Sequence, residues 1–407
     1  MPLALLALAI SAFGIGTTEF VMMGLMPNVA DDMGTSVPTA GYLVSAYAIG
    51  VVIGAPLLTA VGARVPRKRM LVLLMGLFTV GNLASALAPN YAALLGGRVL
   101  AGLPHGAFFG VGAVVAARLV TEDRRARAVA TMFLGLTVAN IVGVPAGTAI
   151  GQALGWRATF IVVSAIGLLA MASLAALVPQ LPLEHQRGVG HEVRALGDRQ
   201  VVLGLLTAVF GFGGVFAVYS YLASIMTEVT GIAESSVTVV LALFGIGMTL
   251  GALVAGPLTD RALRPTLYGG LGALAAAMLV FHAVVDVEWA AMAMVVVLGG
   301  LGFMTTTPLQ MLIMQKARHA PTLASAGNQS AFNLANAGGA WLGGVAIAAG
   351  WGWRAPMLVG VVLALTGLGI AVLAGALDRG TSLSRSRIVA RGIPRLRRER
   401  AAEGVPG

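Results

Sequence analysis

Glu19, in Gly16-Thr17-Thr18-Glu19-Phe20, is a carboxylate set in an otherwise uncharged run from Leu3 to Met26. A charge at the centre of an apolar helix in lipid costs at least about 2.5 kcal/mol on insertion scales, so such a residue needs a partner, a proton or water. Arg98 is the candidate partner. Counted from corresponding ends of their apolar runs, at 1.5 Å per residue, the two sit at a similar depth of roughly 10 Å. Low dielectric favours the neutral form of a carboxyl and a nearby guanidinium favours the charged one, so Glu19 can alternate between pairing with Arg98 and carrying a proton. The plainer reading is a permanent structural ion pair. His105 lies one heptad beyond Arg98 on the same face, where an imidazole could titrate near neutral pH or act as a hydrogen-bonding strut.

Other side chains suggest a ligand path more than a reaction centre. The stretch from Phe210 to Tyr221 sets Phe210, Phe212, Phe216, Tyr219 and Tyr221 among small residues, an adaptable aromatic wall for an apolar ligand that can carry positive charge. Further on stand Met304, Thr307, Gln310, Met311 and Met314, then Asn328, Gln329, Asn333 and Asn336. Amides inside a membrane face protein or water, and interhelical hydrogen bonding accounts for them as readily as ligand contact. Gly102, Gly106 and Gly110 follow Arg98 at every fourth position and permit close helix contact. Gly135, Gly143, Pro145, Gly147, Gly151 and Gly155 make their helix bendable, as a rocking interface needs, or merely kinked. There is no Walker A sequence, and Gly245-Ile246-Gly247 and Gly110-Val111-Gly112 complete no dinucleotide fingerprint. Neither a catalytic triad nor a zinc-ligand pattern occurs, so the expectation is no enzyme, no cofactor and no metal.

The elements that must position these residues follow from composition. Of 407 residues, 58% are hydrophobic and 10% charged, against about 25% charged in a soluble domain, which excludes an ordinary soluble globule. Apolar segments recur at roughly the 20 to 25 residues that cross a bilayer. Uninterrupted runs such as Leu71 to Ala88 lack the alternation of barrel strands, leaving an all-α integral membrane protein. Twelve spans are expected: 3–26, 39–61, 70–88, 92–117, 128–152, 157–178, 200–226, 235–258, 266–285, 289–314, 322–348 and 354–377. No basic segment follows Met1, so the first run reads as a span, not a cleaved leader. Cysteine is absent, which excludes a disulfide framework.

The net charge of +10 sorts by topology. With both termini cytoplasmic, Arg64, Arg67, Lys68 and Arg69, then Arg118, Arg124, Arg125 and Arg127, then Arg261 and Arg264, then Lys316 and Arg318 all face the cytoplasm, as the positive-inside rule requires. The opposite loops carry Asp31, Asp32, Glu228, Glu234, Asp286 and Glu288. This distribution speaks against nucleic acid as a partner. Residues 179–199 form the longest polar interruption before the tail and read as a linker between halves 1–178 and 200–377. The Arg-rich residues 378–407 read as a disordered cytoplasmic tail that enforces topology or touches anionic headgroups. Shifting the chain by 197 residues superposes Gly50 on Gly247, Gly54 on Gly251, Gly102 on Gly299, Arg64 on Arg261, and Gly155-Trp156-Arg157-Ala158 on Gly352-Trp353-Arg354-Ala355. A six-span repeat keeps its orientation, so the halves are related by an axis along the membrane normal.

At this point the sequence resembles the major facilitator superfamily, in its twelve-span drug:proton antiporter branch, over residues 1 to about 377. Gly256-Pro257-Leu258-Thr259-Asp260-Arg261 looks like the family's loop motif, in which the acid and arginine latch a cytoplasmic gate. In the first-half copy Thr59, Ala63 and Pro66 replace the motif's glycine, acid and second glycine, leaving Arg64, Arg67 and Lys68; the resemblance there implies no acid latch. Arg98 with Gly102 and Gly106 looks like the span 4 motif, and Gly143, Pro145, Gly147 and Gly151 like the antiporter motif of span 5. Thr17-Thr18-Glu19-Phe20 and Pro104-His105-Gly106-Ala107-Phe108-Phe109 are similar to sugar-efflux-like and chloramphenicol-exporter-like members. The resemblance implies proton-coupled efflux of a drug or sugar-like molecule by alternating access in the cytoplasmic membrane, by a monomer whose partners are cargo, protons and lipid. Glu19, Arg98 and His105 would couple protons, and Phe20, Tyr47, Phe109, Asn140, Phe212, Phe216, Tyr219, Gln310, Asn333 and Asn336 would line the cavity. The competing expectation is a facilitator or importer of a sugar or nucleoside with Glu19 merely structural.

Overall fold

The computed structural model describes residues 3–180, 198–316 and 321–402, and all regular structure among them is helical. The first half contains α1 (Leu3–Asp32), α2 (Val37–Val61), α3 (Arg67–Ala86), α4 (Tyr91–Arg118), α5 (Arg127–Leu154) and α6 (Trp156–Leu177). The second begins with α7 (Arg199–Tyr219), followed by Val237–Val284, which bends at Ala262 (φ −157°, ψ 78°) into two crossings, α8 before the bend and α9 after it. It ends with α10 (Glu288–Lys316), α11 (Pro321–Ala346) and α12 (Ala355–Ala402). Twelve crossings result.

Local chemistry starts several of these helices. The Ser36 hydroxyl accepts from Thr39 N, Asn90 Oδ1 from Ala93 N and Asp198 Oδ1 from Gln200 N, each satisfying a donor that the first turn leaves free. Apolar side chains such as Leu73, Leu168, Leu253 and Val362 point outward and are exposed, as they should be when lipid is the solvent and the backbone bonds itself within each helix. The linker expected over 179–199 falls largely on 181–197, outside the described residues. The α12 backbone is helical to Ala402.

The 197-residue repeat has a physical basis. Gly50 and Gly54 of α2 lie against the backbone of α4 at Val99 and Leu103, and their counterparts Gly247 and Gly251 of α8 lie against α10 at Val296 and Gly300. Gly102 meets the Tyr47 carbonyl as Gly299 meets that of Phe244, the equivalent position. In both halves, a Cβ at any of these sites would collide with main chain. The Gly-Trp-Arg-Ala copies open α6 and α12 in the same way: Gly155 (φ +87°) and Gly352 (φ +79°) adopt a backbone that other residues avoid. The arginines then clamp acids at the ends of the preceding crossings of their own half, Arg157 to Asp32 at 2.5 Å and Arg354 to Asp286.

The halves meet where α2 packs on α11 and α5 on α8. Ser45 Oγ donates to the Ala337 carbonyl at 2.9 Å, and Gly245 abuts the Asn140 carbonyl. Toward the face that carries Asp32 and Glu234, one apolar core runs through both halves, from Phe20, Val29 and Leu43 to Tyr221, Phe244 and Met357. Toward the termini it divides into a first-half cluster around Leu5, Phe78 and Phe108 and a separate second-half cluster around Leu267, Leu271 and Leu309. Among the described residues, the apolar core is thus closed between the halves at one face and parted at the other.

Candidate functional site

Four consecutive residues of α1 meet different partners, because each step along a helix turns the side chain by about 100°. Thr17 faces Gly143 of α5; Thr18 meets Arg98 of α4 and Asn82 of α3; Glu19 faces His105; Phe20 stacks toward Phe216 and Tyr219 of α7. The α5 glycines hold α1 in this register, with Gly135 against Ala9, Gly147 against Val21 and Gly151 against Leu25. Between them, a single π-turn at Ala139–Gly143 sits just ahead of Pro145, which lacks the N–H that the preceding turn would use. Gly143, Pro145, Gly147 and Gly151 therefore both bend α5 and seat the acid-bearing helix.

Arg98 is wholly buried, but it does not pair with Glu19 as its depth suggests. Its Nη1 donates to the Thr18 carbonyl at 3.0 Å and to Thr18 Oγ1 at 3.2 Å, and its Nε to the Leu43 carbonyl at 3.4 Å. The guanidinium lies 4.6 Å from the Tyr47 ring and 5.6 Å from that of Phe160. Depth was legible from sequence, while the partner was not: Thr18 is turned to Arg98, and Glu19 to His105, two turns further along the same α4. No Lys or Arg comes within ion-pair distance of Glu19 among the described residues. The carboxylate stands 3.9 Å from His105 Nδ1, a nitrogen that also shares a hydrogen bond with Tyr47 Oη at 3.1 Å. Phe109 packs on the His105 ring at 5.1 Å, and Asn336 of α11 is buried with neither atom of its amide hydrogen-bonded.

The expected cavity residues divide. Phe20, Phe212, Phe216 and Tyr219 form one aromatic cluster, extended by Phe244, Phe303 and Phe332. Asn140 and Asn333 are buried, each donating Nδ2 to the carbonyl one turn back, Leu136 or Gln329, which leaves each Oδ1 without a partner. Gln310 is exposed, next to the exposed Met311 and one turn from Met314. At the parted face Arg64, Asp260 and Arg261 are exposed, and among the described residues Asp260 and Arg261 form no ion pair; the latch that the loop motif suggests is not engaged in this state. A different acid organises this face, since Asp378 of α12 pairs with Arg264 and, at 2.5 Å, with Lys316.

Asn82, which takes the Thr18 hydroxyl, and Glu234 went unnoticed as site residues in the sequence. The closed face is held by Glu234, whose Oε1 accepts from Asn28 Nδ2 at 2.8 Å and whose carbonyl accepts from Gln152 Nε2 at 3.0 Å, both across the seam. They border a cavity of about 320 Å³ that also touches Thr227. Glu234→Ala removes the side-chain link, worth about 1 kcal/mol for an exposed charge-assisted bond, or roughly fivefold in the open-to-closed ratio of this face. With Thr227→Cys as the reporter in this cysteine-free chain, labelling by an impermeant maleimide should quicken about that much.

Comparisons with known proteins agree on one lineage. A family model described as Major Facilitator Superfamily matches residues 8–328. The chain is similar to the inner membrane transport protein YdhP of Escherichia coli K12, 44% identical over 369 residues that cover 91% of this chain and 94% of the relative. It is also similar to a chloramphenicol resistance protein of Streptomyces lividans, 33% identical over 379 residues, covering 89% and 95%. Among solved structures, a bacterial homologue of the human lysosomal transporter Spinster, inward-facing and unoccupied, superposes with a TM-score of 0.72 at 16% identity, covering 91% of this chain and 96% of that one.

Proposed function

Because the chain belongs to the major facilitator superfamily, we propose that it is a proton-coupled exporter: one small molecule leaves the cytoplasm as protons enter, and the two halves rock to offer a central cavity to each side in turn. The termini and the parted face are then cytoplasmic, in keeping with the arginine-rich loops there. A single twelve-crossing chain contains the whole pathway, so a monomer suffices.

One observation carries the coupling. Glu19 is buried in the membrane interior while the nearest guanidinium is committed to the carbonyls of Thr18 and Leu43. A carboxyl in low dielectric without a paired cation is neutralised most cheaply by a proton, and one at the meeting point of the halves can take that proton from one side and release it to the other. His105, bridged to Tyr47, is the relay next to it. The aromatic cluster and the free amide oxygens of Asn140 and Asn333 favour a neutral or cationic molecule with an aromatic or apolar body and hydrogen-bond donors.

Inside-out vesicles test this reading. An acidic lumen should drive uptake of chloramphenicol or a cationic dye against its gradient, and a protonophore should abolish that uptake. Transport of every such cargo at a rate indifferent to the proton gradient would instead mark a facilitator and sink the proposal.

A further inference from the structure

Thr17 and Thr18 are neighbours on α1, yet they spend their hydroxyls differently. Thr17 Oγ1 donates to the Phe13 carbonyl one turn back, at 2.8 Å, the usual bond of a threonine inside a helix. Thr18 Oγ1 instead leaves its own helix: it donates to Asn82 Oδ1 of α3 and accepts from Arg98 Nη1 of α4. Asn82 is oriented by its other amide atom, because Nδ2 donates to the Phe78 carbonyl at 2.9 Å and leaves Oδ1 for Thr18. Thr18, Asn82 and Arg98 are all 0% exposed. A hydroxyl has a single proton, and giving it to Asn82 leaves Oγ1 an acceptor for a guanidinium that can only donate. Arg98 still has an unspent arm, since its Nη2 is buried with no hydrogen-bond partner. That arm lies within a side chain's length of Glu19, for the Thr18 carbonyl that Nη1 meets at 3.0 Å belongs to the peptide joining Thr18 to Glu19.

Resting on the reading of Glu19 as proton carrier, we propose that Thr18 and Asn82 are positioning residues, whose chain of hydrogen bonds holds the Arg98 guanidinium on the α1 backbone and keeps it from pairing with the Glu19 carboxylate. A guanidinium paired with that carboxylate would hold it charged and compete with the proton. Without Asn82 the Thr18 hydroxyl turns to the Gly14 carbonyl one turn back, as Thr17 does to that of Phe13, and Arg98 loses an acceptor beside a carboxylate. Its free Nη2 and the loosened Nη1 then take Glu19. The other titratable groups around Glu19 are His105 of α4 at 3.9 Å, Tyr47 of α2 bonded to that imidazole, and Tyr219 of α7, whose ring packs on Phe20. None occurs in α3 from Met70 to Ala86, in α5 from Ala128 to Leu154, in α6 from Ala158 to Leu177 or in α8 from Val237 to Thr259. Arg98 is therefore the cation whose placement decides how tightly Glu19 holds a proton.

The infrared carbonyl stretch of a protonated carboxyl, assigned to Glu19 by its loss in Glu19→Gln, titrates this residue directly in reconstituted protein. Thr18→Val and Asn82→Ala cut the chain from either end, and each should move the midpoint about one pH unit toward acid, a tenfold loss in proton affinity. Thr18→Ser keeps the hydroxyl and should return the midpoint to that of the unmodified protein. A chain that only supports the fold predicts lower unfolding temperatures with the midpoint unmoved; that result in both Thr18→Val and Asn82→Ala overturns the positioning role and leaves the carrier reading standing. A Glu19 band of constant intensity at every pH the unmodified protein tolerates means that this carboxyl exchanges no proton, and it overturns the carrier reading together with the proposal.

Discussion

Glu19→Gln should leave a protein that equilibrates its cargo but cannot accumulate it. Two pH units across the membrane are worth about 2.7 kcal/mol per proton, so an exchange of one proton per cargo can hold a gradient of about a hundredfold. Glutamine keeps the size and polarity of the side chain and has no exchangeable charge. The accumulation ratio should therefore fall from that limit to one, while counterflow of labelled cargo against unlabelled cargo persists at a reduced rate. Measured together in vesicles, the two quantities separate coupling from folding, because a misfolded variant loses both. Retained uphill accumulation with Glu19→Gln would place the coupling group elsewhere, with His105 the next candidate at 3.9 Å.

Much of the architecture was legible because lipid imposes it. A backbone with no water to bond must close its own hydrogen bonds, so each apolar run of sufficient length had to be a helix, and twelve runs gave twelve crossings. The internal repeat was equally readable, since the Gly-Trp-Arg-Ala copies solve the same turn twice, a positive-φ glycine followed by an arginine on an acid at the end of a preceding crossing. Helix ends were less so. The first helix runs on to Asp32, beyond the apolar limit at Met26, because polar residues such as Asn28 and Asp32 find partners in Glu234, Trp156 and Arg157 that only the assembled bundle provides. The bend between α8 and α9 depends likewise on tertiary context.

Within the site, residue type and depth could be read while direction could not. Sequence placed Glu19 and Arg98 on one level, yet whether α1 presents residue 18 or 19 to Arg98 is decided by the rotation of the helix, which the α5 glycines fix by packing along Ala9, Thr17, Val21 and Leu25. That information is spread over contacts between spans far apart in the chain. A polar residue in span 3 was the signal available for Asn82, of the same kind that drew attention to Asn333 and Asn336.

This rotation changes what Arg98 is expected to do. As a partner of Glu19 it would be dispensable once the acid is neutral; as observed, it joins the Thr18 and Leu43 carbonyls of α1 and α2 and the rings of Tyr47 and Phe160, whatever the state of Glu19. Hydrogen bonds to a charged group contribute about 1.5–3 kcal/mol each, and truncation also opens a cavity, so Arg98→Ala should cost about 3–5 kcal/mol. Spread over one half of the molecule, that lowers the unfolding temperature in detergent by about 10 °C. Arg98→Lys should recover only part of it, because an ammonium lacks the planar fork that reaches two carbonyls and lies flat on an aromatic face. The decisive measurement is the double variant. If Arg98 is a staple, the stability losses of Arg98→Ala and Glu19→Gln add within about 0.5 kcal/mol, as they do for independent sites. If instead Glu19→Gln rescues Arg98→Ala, an uncompensated buried carboxylate was the source of the damage, and the two side chains form an ion pair in some other state of the transport cycle.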